Sequence, residues 1–160
     1  MIDRRTFLKL SAGALVLTAA GALTGCGGMN DRPKVTIDGV VFMCEAPTIT
    51  VDSDHTVRYC PLFAIQNNTP DKQVILEPED ITGTVTDMEN HEYPLKFVCN
   101  KLTVEPNSYK KYPSSKEFCL ESEKGIPAEC IDGTFILRVA YNGQTAVFRY
   151  DGNTIIPSKE

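Results

Sequence analysis

The chain has 160 residues, 42% hydrophobic and 23% charged, with no tryptophan. That length fits one domain with a real core; the apolar share excludes a disordered chain, and the charge excludes a multi-span membrane protein. The net charge of −5 argues against nucleic acid as a partner, because phosphate binding draws on clustered lysine and arginine.

The charge is unevenly spread. Arg4, Arg5 and Lys9 against Asp3 give the first 25 residues a net +2, leaving 13 basic and 20 acidic residues, a net −7, in the rest. Leu10 to Leu23 is an uncharged stretch of 14 residues, short of the roughly 20 that span a bilayer as a helix. A charged start, a short apolar middle and small residues at its end describe an export signal. A buried N-terminal helix would need charges patterning one face, and the stretch has none.

Arg4, Arg5, Phe7, Leu8 and Lys9, within Asp3-Arg4-Arg5-Thr6-Phe7-Leu8-Lys9, resemble a twin-arginine signal. Such signals are addresses read by a receptor, not anchors. Asp3 departs from the usual serine or threonine. The resemblance implies export of a folded domain, with the general secretory route as the alternative. Leu23-Thr24-Gly25-Cys26 resembles a bacterial lipobox. In that motif the cysteine carries a diacylglycerol on its sulfur and becomes the first mature residue. The resemblance implies that Cys26 holds the protein to membrane lipid through acyl chains of the palmitate kind, each buried methylene contributing about 0.8 kcal/mol. The chain then divides into a signal peptide (1–25), a lipidated tether (26–34) and a domain (35–157) on the extracytoplasmic face of the cell membrane.

From Val35 onward the apolar residues come in short runs separated by turn chemistry, with no sustained helical period. Strands are predicted over 35–43 with a break at Asp38-Gly39, over 48–51, and over 56–66, where Pro61 implies an edge position or a bulge. Asn67-Asn68-Thr69-Pro70-Asp71 is a loop. Strands follow over 73–76, 82–87, 92–99, 102–104 and 116–120. The last element is a hairpin: Phe135, Leu137, Val139 and Tyr141 alternate with Ile136, Arg138 and Ala140, then Ala146, Phe148 and Tyr150 follow Asn142-Gly143. Asparagine and glycine both tolerate the positive φ of a two-residue turn.

This pattern predicts an all-β fold, an antiparallel β-sandwich, with a small closed barrel as the alternative. The segments Ile65-Gln66-Asn67-Asn68-Thr69, Asp87 to Tyr93 and Val104-Glu105-Pro106-Asn107, with the closing hairpin, resemble the immunoglobulin-like domains of bacterial surface lipoproteins, several of them domains of unknown function. In the tip of that family's hairpin the usual glycine is replaced by Asn90 or His91, and asparagine accepts the same left-handed backbone. The resemblance implies a fold and a location, and no catalytic residues.

Besides Cys26 the chain has Cys44, Cys60, Cys99, Cys119 and Cys130, an odd number. Outside the membrane thiols tend to pair. Two disulfides and a spare cysteine are expected, with Cys119–Cys130 preferred and Cys44 with Cys60 or Cys99 second; closing the 119–130 loop would add roughly 2–3 kcal/mol. Five buried free thiols are the alternative. No Cys-x-x-Cys occurs, so neither a thioredoxin motif nor a zinc ribbon is supported.

The two histidines, His55 and His91, each lie among carboxylates, yet Asp, Asn and Ser also serve turns by bonding their own backbone. Neither run has the glycine bend or distant glutamate of an EF-hand loop, so no metal or cofactor is expected. Met43-Cys44 offers soft sulfur but reads as core. Glu77, Glu79 and Asp80 read as a solvated acidic loop beside Pro78. No nucleophile has a base with a motif around it, so no enzyme is expected. Tyr109-Lys110-Lys111-Tyr112 is a basic-aromatic cluster suited to anionic lipid or cell-wall polymer, or simply an exposed strand end. The function expected is binding of an unknown protein or cell-surface ligand, since sandwich loops carry recognition on a rigid scaffold. The alternative is a redox or metal-handling protein using the spare cysteine.

Overall fold

The computed structural model describes residues 32–126 and 134–160. The export signal, the lipobox and Cys130 lie outside these residues. Twelve strands form among them: β1 (Lys34–Ile37), β2 (Val40–Val51), β3 (Val57–Asn67), β4 (Val74–Leu76), β5 (Ile81–Thr86), β6 (Glu92–Phe97), β7 (Leu102–Val104), β8 (Ser108–Tyr112), β9 (Leu120–Ser122), β10 (Phe135–Tyr141), β11 (Gln144–Tyr150) and β12 (Ile155–Lys159). No described helix is long and apolar enough to cross a membrane.

The fold is an antiparallel β-sandwich. The main sheet runs β1-β2-β3-β9-β6-β5-β10-β11-β12, with β8 also on β3, while β4 and β7 pair separately. The short strand β9 bridges the layer of β1, β2 and β3 to the layer of β6, β5, β10, β11 and β12. Aromatic pairs close the space between the layers. Tyr59 of β3 stacks on Phe135 of β10 at 5.0 Å, and Phe42 of β2 meets Tyr141 of β10 edge-on at 5.7 Å.

The closing hairpin forms as its alternation predicts. Phe135 pairs with Tyr150 and Tyr141 with Gln144 in unbroken register. Asn142 (φ 49°) and Gly143 (φ 74°) supply the turn, whose twist matches that of the strands. Phe135, Leu137, Val139, Ala146 and Phe148 are buried, each large one stabilising by about 1.5–3 kcal/mol. At the β5–β6 tip the positive φ falls on Asn90 (64°).

Asn67 ends β3 and pins the β4–β7 pair to the main sheet. Its side-chain amide donates to the carbonyls of Lys72 (2.7 Å), Val104 (3.2 Å) and Glu105 (3.0 Å), and its oxygen accepts from the Thr69 hydroxyl (2.6 Å) and backbone N–H (3.0 Å). It is fully buried, so leaving those carbonyls unpaired would be costly.

Some elements differ from the sequence pattern. The runs at 40–43 and 48–51 belong to one strand, because β2 passes Pro47 through a register shift between Cys44 and Pro47. The predicted strand 116–120 is a turn followed by β9: Glu117 and Phe118 donate backbone N–H to the Ser114 carbonyl at 2.9 and 3.0 Å. The basic-aromatic stretch, one reading of which is an exposed strand end, forms the strand β8. β12 carries the sheet past residue 157; its Pro157 is tolerated because an edge strand need not donate there.

Candidate functional site: the turn between β8 and β9

β8 and β9 share one edge of β3. Ser108–Tyr112 pairs with Asn67–Phe63, and Leu120–Glu121 with Tyr59–Arg58. Pro61, which has no N–H to donate, falls in the gap between them. The irregularity expected at Pro61 is therefore a handover of partners along β3, with the bulge in β2 opposite it, in a strand paired on both sides. Residues 113–119 leave the edge and rejoin it. Ser114 shapes the excursion, its hydroxyl donating to Glu117 at 2.8 Å. Phe118 plugs it into the core, stacking on Phe63 at 4.3 Å.

The handover places Cys60 directly opposite Cys119, and the two form a disulfide across 59 residues of sequence, with Cα atoms 4.2 Å apart. This overturns the expected Cys119–Cys130 bridge and the second choice of Cys44 with Cys60 or Cys99. Proximity in sequence misled, because strand pairing decides which cysteines face each other. Chain entropy for a loop of that size makes this bridge worth about 4 kcal/mol. Cys44 and Cys99 carry free thiols. Cys44 is buried in the core, and burial, then the charge of Glu45, holds its thiol far above its usual range. Met43 alternates with it to the opposite face of β2, so the two sulfurs do not converge. Cys99 is half-buried. Its thiol meets the Ser115 carbonyl at 3.6 Å. Desolvation raises its pKa, opposed by the Cys119 backbone N–H that bonds its sulfur and reinforced by Glu121 and Glu117.

The turn lends residues to two recesses. One, of about 160 Å³, is lined by Asn100, Lys101, Leu102, Lys110, Tyr112, Lys116 and Glu117. It sets three ammonium groups against one carboxylate in an otherwise acidic domain. Tyr112 forms its buried wall, with the Lys110 ammonium 5.2 Å from the ring centroid. Burial, then the Glu117 charge, pushes the Tyr112 hydroxyl up to about 12, partly offset by the Thr103 backbone. Lys101 approaches Glu77 only to 3.9 Å. Lys111 lies over Tyr109 at 5.9 Å. Residues 109 and 111 alternate to the other face of β8, so the basic-aromatic cluster of the sequence is split in two.

The second recess, of about 270 Å³, is lined by Thr48, Thr50, Arg58, Cys60, Pro113 and Ser115. Arg58 is held there by Glu121 at 2.6 Å and Asp52 at 3.2 Å.

The histidine runs serve their own turns. His55 takes a positive φ of 62° and donates its backbone N–H to Asp52 at 3.0 Å. The Asp87 carboxylate accepts the backbone N–H groups of Glu89 and His91, the Tyr93 hydroxyl at 3.2 Å, and meets His91 Nδ1 at 2.9 Å. Desolvation raises its pKa, but those bonds outweigh it and hold the carboxyl below its usual range. Glu77 and Asp80 close a capping box around the short turn Pro78–Asp80, with the Glu77 N–H on Asp80 at 2.8 Å. Among the described residues no cluster of three or more His, Cys, Asp or Glu is arranged to hold a metal ion.

Sequence reasoning singled out Lys110 but missed Lys101 and Lys116, which only the turn brings beside it. Pro61 was the available signal that the edge of β3 breaks there.

Compared with known protein families and with curated proteins, the chain matches none. Among solved structures it is similar to an uncharacterised β-sandwich protein from Clostridium difficile 630, with a TM-score of 0.45 and 14% identity over 72% of this chain and 88% of that one.

Proposed function

We propose that this protein is a lipoprotein anchored through Cys26 at the extracytoplasmic face of the cell membrane, and that its β-sandwich binds an anionic ligand without catalysing a reaction. The carrying observation is the recess of Lys101, Lys110 and Lys116 against the single carboxylate of Glu117. A domain of net −7 repels anionic surfaces at long range, so three lysines gathered at one recess are a local exception that a phosphate or carboxylate group fits. Near an anionic surface each lysine contributes roughly 1 kcal/mol, about 3 kcal/mol together. The Cys60–Cys119 disulfide supports the location, since disulfides persist in oxidising compartments. The location is tested by fractionating cells that express the unaltered chain or Cys26→Ala; the variant should leave the membrane fraction, and retention there overturns the anchor. Binding is tested by co-sedimentation with phosphatidylglycerol vesicles and by calorimetry with inorganic phosphate. Lys101→Gln with Lys116→Gln should weaken one of these at least tenfold. Unchanged or absent binding in both would overturn the role of the recess.

A further inference from the structure

The layer of β6, β5, β10, β11 and β12 carries, on the side away from the core, a row of residues that folding alone does not call for. Strand pairing sets Ile156, Arg149, Ile136, Thr84 and Pro94 side by side across β12, β11, β10, β5 and β6. Phe135, Leu137 and Phe148 of the same strands belong to the core, so this row faces outward. Arg138 stands in the next row, diagonal to Arg149, and diagonal neighbours lie about 7–8 Å apart. Its guanidinium donates to the Thr84 hydroxyl at 3.2 Å. The Arg138 head therefore enters the row of Arg149, with Ile136 between the two. Ile136 and Val147 point outward yet are only 3% exposed, and neither belongs to the core cluster. Arginine stems cover apolar surface in this way while their charged heads stay in water.

The charge on this face is unbalanced. Among the described residues neither arginine makes an ion pair, and Thr84 is the partner of Arg138. The nearest carboxylates in register, Glu92 opposite Thr86 and Glu160 opposite Thr145, stand one row further out on either side. Lys96, in the row of Arg138, meets Glu123 at 3.6 Å. Two guanidiniums without a carboxylate are thus exceptional in a domain of net −7. We propose that this row docks an acidic segment of a partner protein, an extended peptide whose carboxylates pair with Arg138 and Arg149. Guanidinium forks hold carboxylates through paired N–H bonds. The ends of the row are apolar: Ile156 is 56% exposed, and Pro94 is exposed as well. Apolar side chains flanking the acidic residues of a peptide rest there, whereas a phosphate polymer or a lipid headgroup gains nothing from them. No residue of this row lines the lysine recess, and docking here needs no ligand there.

The test is calorimetry of the full chain with a short capped peptide that carries two glutamates between leucines, and with its glutamine counterpart. The glutamate peptide should bind, and the glutamine peptide should bind at least tenfold more weakly. Arg138→Gln with Arg149→Gln should weaken the glutamate peptide at least tenfold, and Ile156→Ser about threefold. Lys101→Gln with Lys116→Gln should leave it unchanged. No binding of the glutamate peptide overturns the proposal, as does binding that survives the loss of both arginines. Inorganic polyphosphate or phosphatidylglycerol vesicles that bind through the two arginines, with no loss in Ile156→Ser, would assign the row to phosphate and overturn it too. Should the arginine variant fail to fold, amide shifts of the unaltered chain decide. The peptide should move Thr84, Ile136 and Arg149 and leave Lys110 and Lys116 in place, and the reverse pattern overturns the docking site.

Discussion

The closing hairpin and the β3 edge build the same core by opposite means. The hairpin is local: β10 and β11 are joined by Asn142-Gly143 and keep one register from Phe135–Tyr150 to Tyr141–Gln144. The β3 edge is non-local. It takes β8 over its C-terminal half and β9 over its N-terminal half, with Pro61, a bulge in β2 and a disulfide at the join. The regular region keeps its ladder intact. The broken one opens two recesses and gathers three cysteines, because residues that leave a ladder have side chains and backbone free for other contacts.

The largest expected effect breaks the edge at its plug. Phe118 is fully buried and contacts both Phe63 and Phe97, at 4.3 and 5.1 Å between ring centroids. Phe118→Ala should cost about 3–5 kcal/mol in urea unfolding. Phe148→Ala, its counterpart in the hairpin, should cost a similar amount. Only the Phe118 change should speed reduction of the Cys60–Cys119 disulfide, measured as the reduction rate under native conditions. Equal reduction rates in the two variants would show that the turn does not shield the bridge.

Those two regions were also unequally legible. The hairpin was readable because Phe135, Leu137 and Val139 alternate and Asn142-Gly143 can only turn. The edge was readable in pieces. Pro61 marked an interruption, but nothing in Lys116 to Leu120 shows that Ser114 will fold the chain into a turn before β9 begins. The disulfide was missed for the same reason. Cys60 and Cys119 are brought together by strand pairing over 59 residues, which no spacing rule contains. Lys101 and Lys116 joined Lys110 through that same turn. Local alternation specifies strands, whereas partner choice depends on pairings distant in sequence.

Removing the bridge sharpens the comparison next. Cys60→Ser with Cys119→Ser should lower stability by about 4 kcal/mol through the freed chain entropy of the unfolded state. Hydrogen exchange should rise first in Arg58, Tyr59 and Leu120, with the β10–β11 amides keeping their protection relative to global unfolding. Uniform loss of protection would mean that the two regions open as one unit.

A smaller effect is expected where the edge and the hairpin layer touch. Gly83 in β5 lies under Leu120, and a Cβ there would come within 2.8 Å of a Leu120 methyl and 3.3 Å of the Ile136 carbonyl. Gly83→Ala should cost about 1–3 kcal/mol by overpacking. Adding Leu120→Ala should recover part of it, a coupling that a double-mutant cycle in urea measures. Strictly additive costs would place the strain on the β10 backbone instead.

The smallest effect separates two aspartates by the range of their partners. Bonds from the Thr56 side chain, then from Lys124, lower Asp54 to about 2, while the backbone N–H groups of Thr154 and Asn153 lower Asp151 in the β11–β12 turn. A carboxyl with a depressed folded-state pKa contributes stability that is present above its unfolded value of about 3.9 and is lost as pH falls through the folded one. Both should therefore destabilise the fold in acid, with the Asp54 contribution disappearing between about pH 4 and pH 2. Their salt dependence should differ. Lys124, 3.1 Å from Asp54, is an exposed charge 70 residues away in the chain, and salt screens such pairs. Asp151 is held by neighbouring backbone dipoles, which need no distant charge. High salt should thus shrink the acid sensitivity removed by Asp54→Asn and leave that removed by Asp151→Asn nearly intact, as read from urea midpoints across pH. Equal salt dependence would mean that Asp54, too, rests on its own turn through Thr56, and that the Lys124 contact adds nothing to the edge.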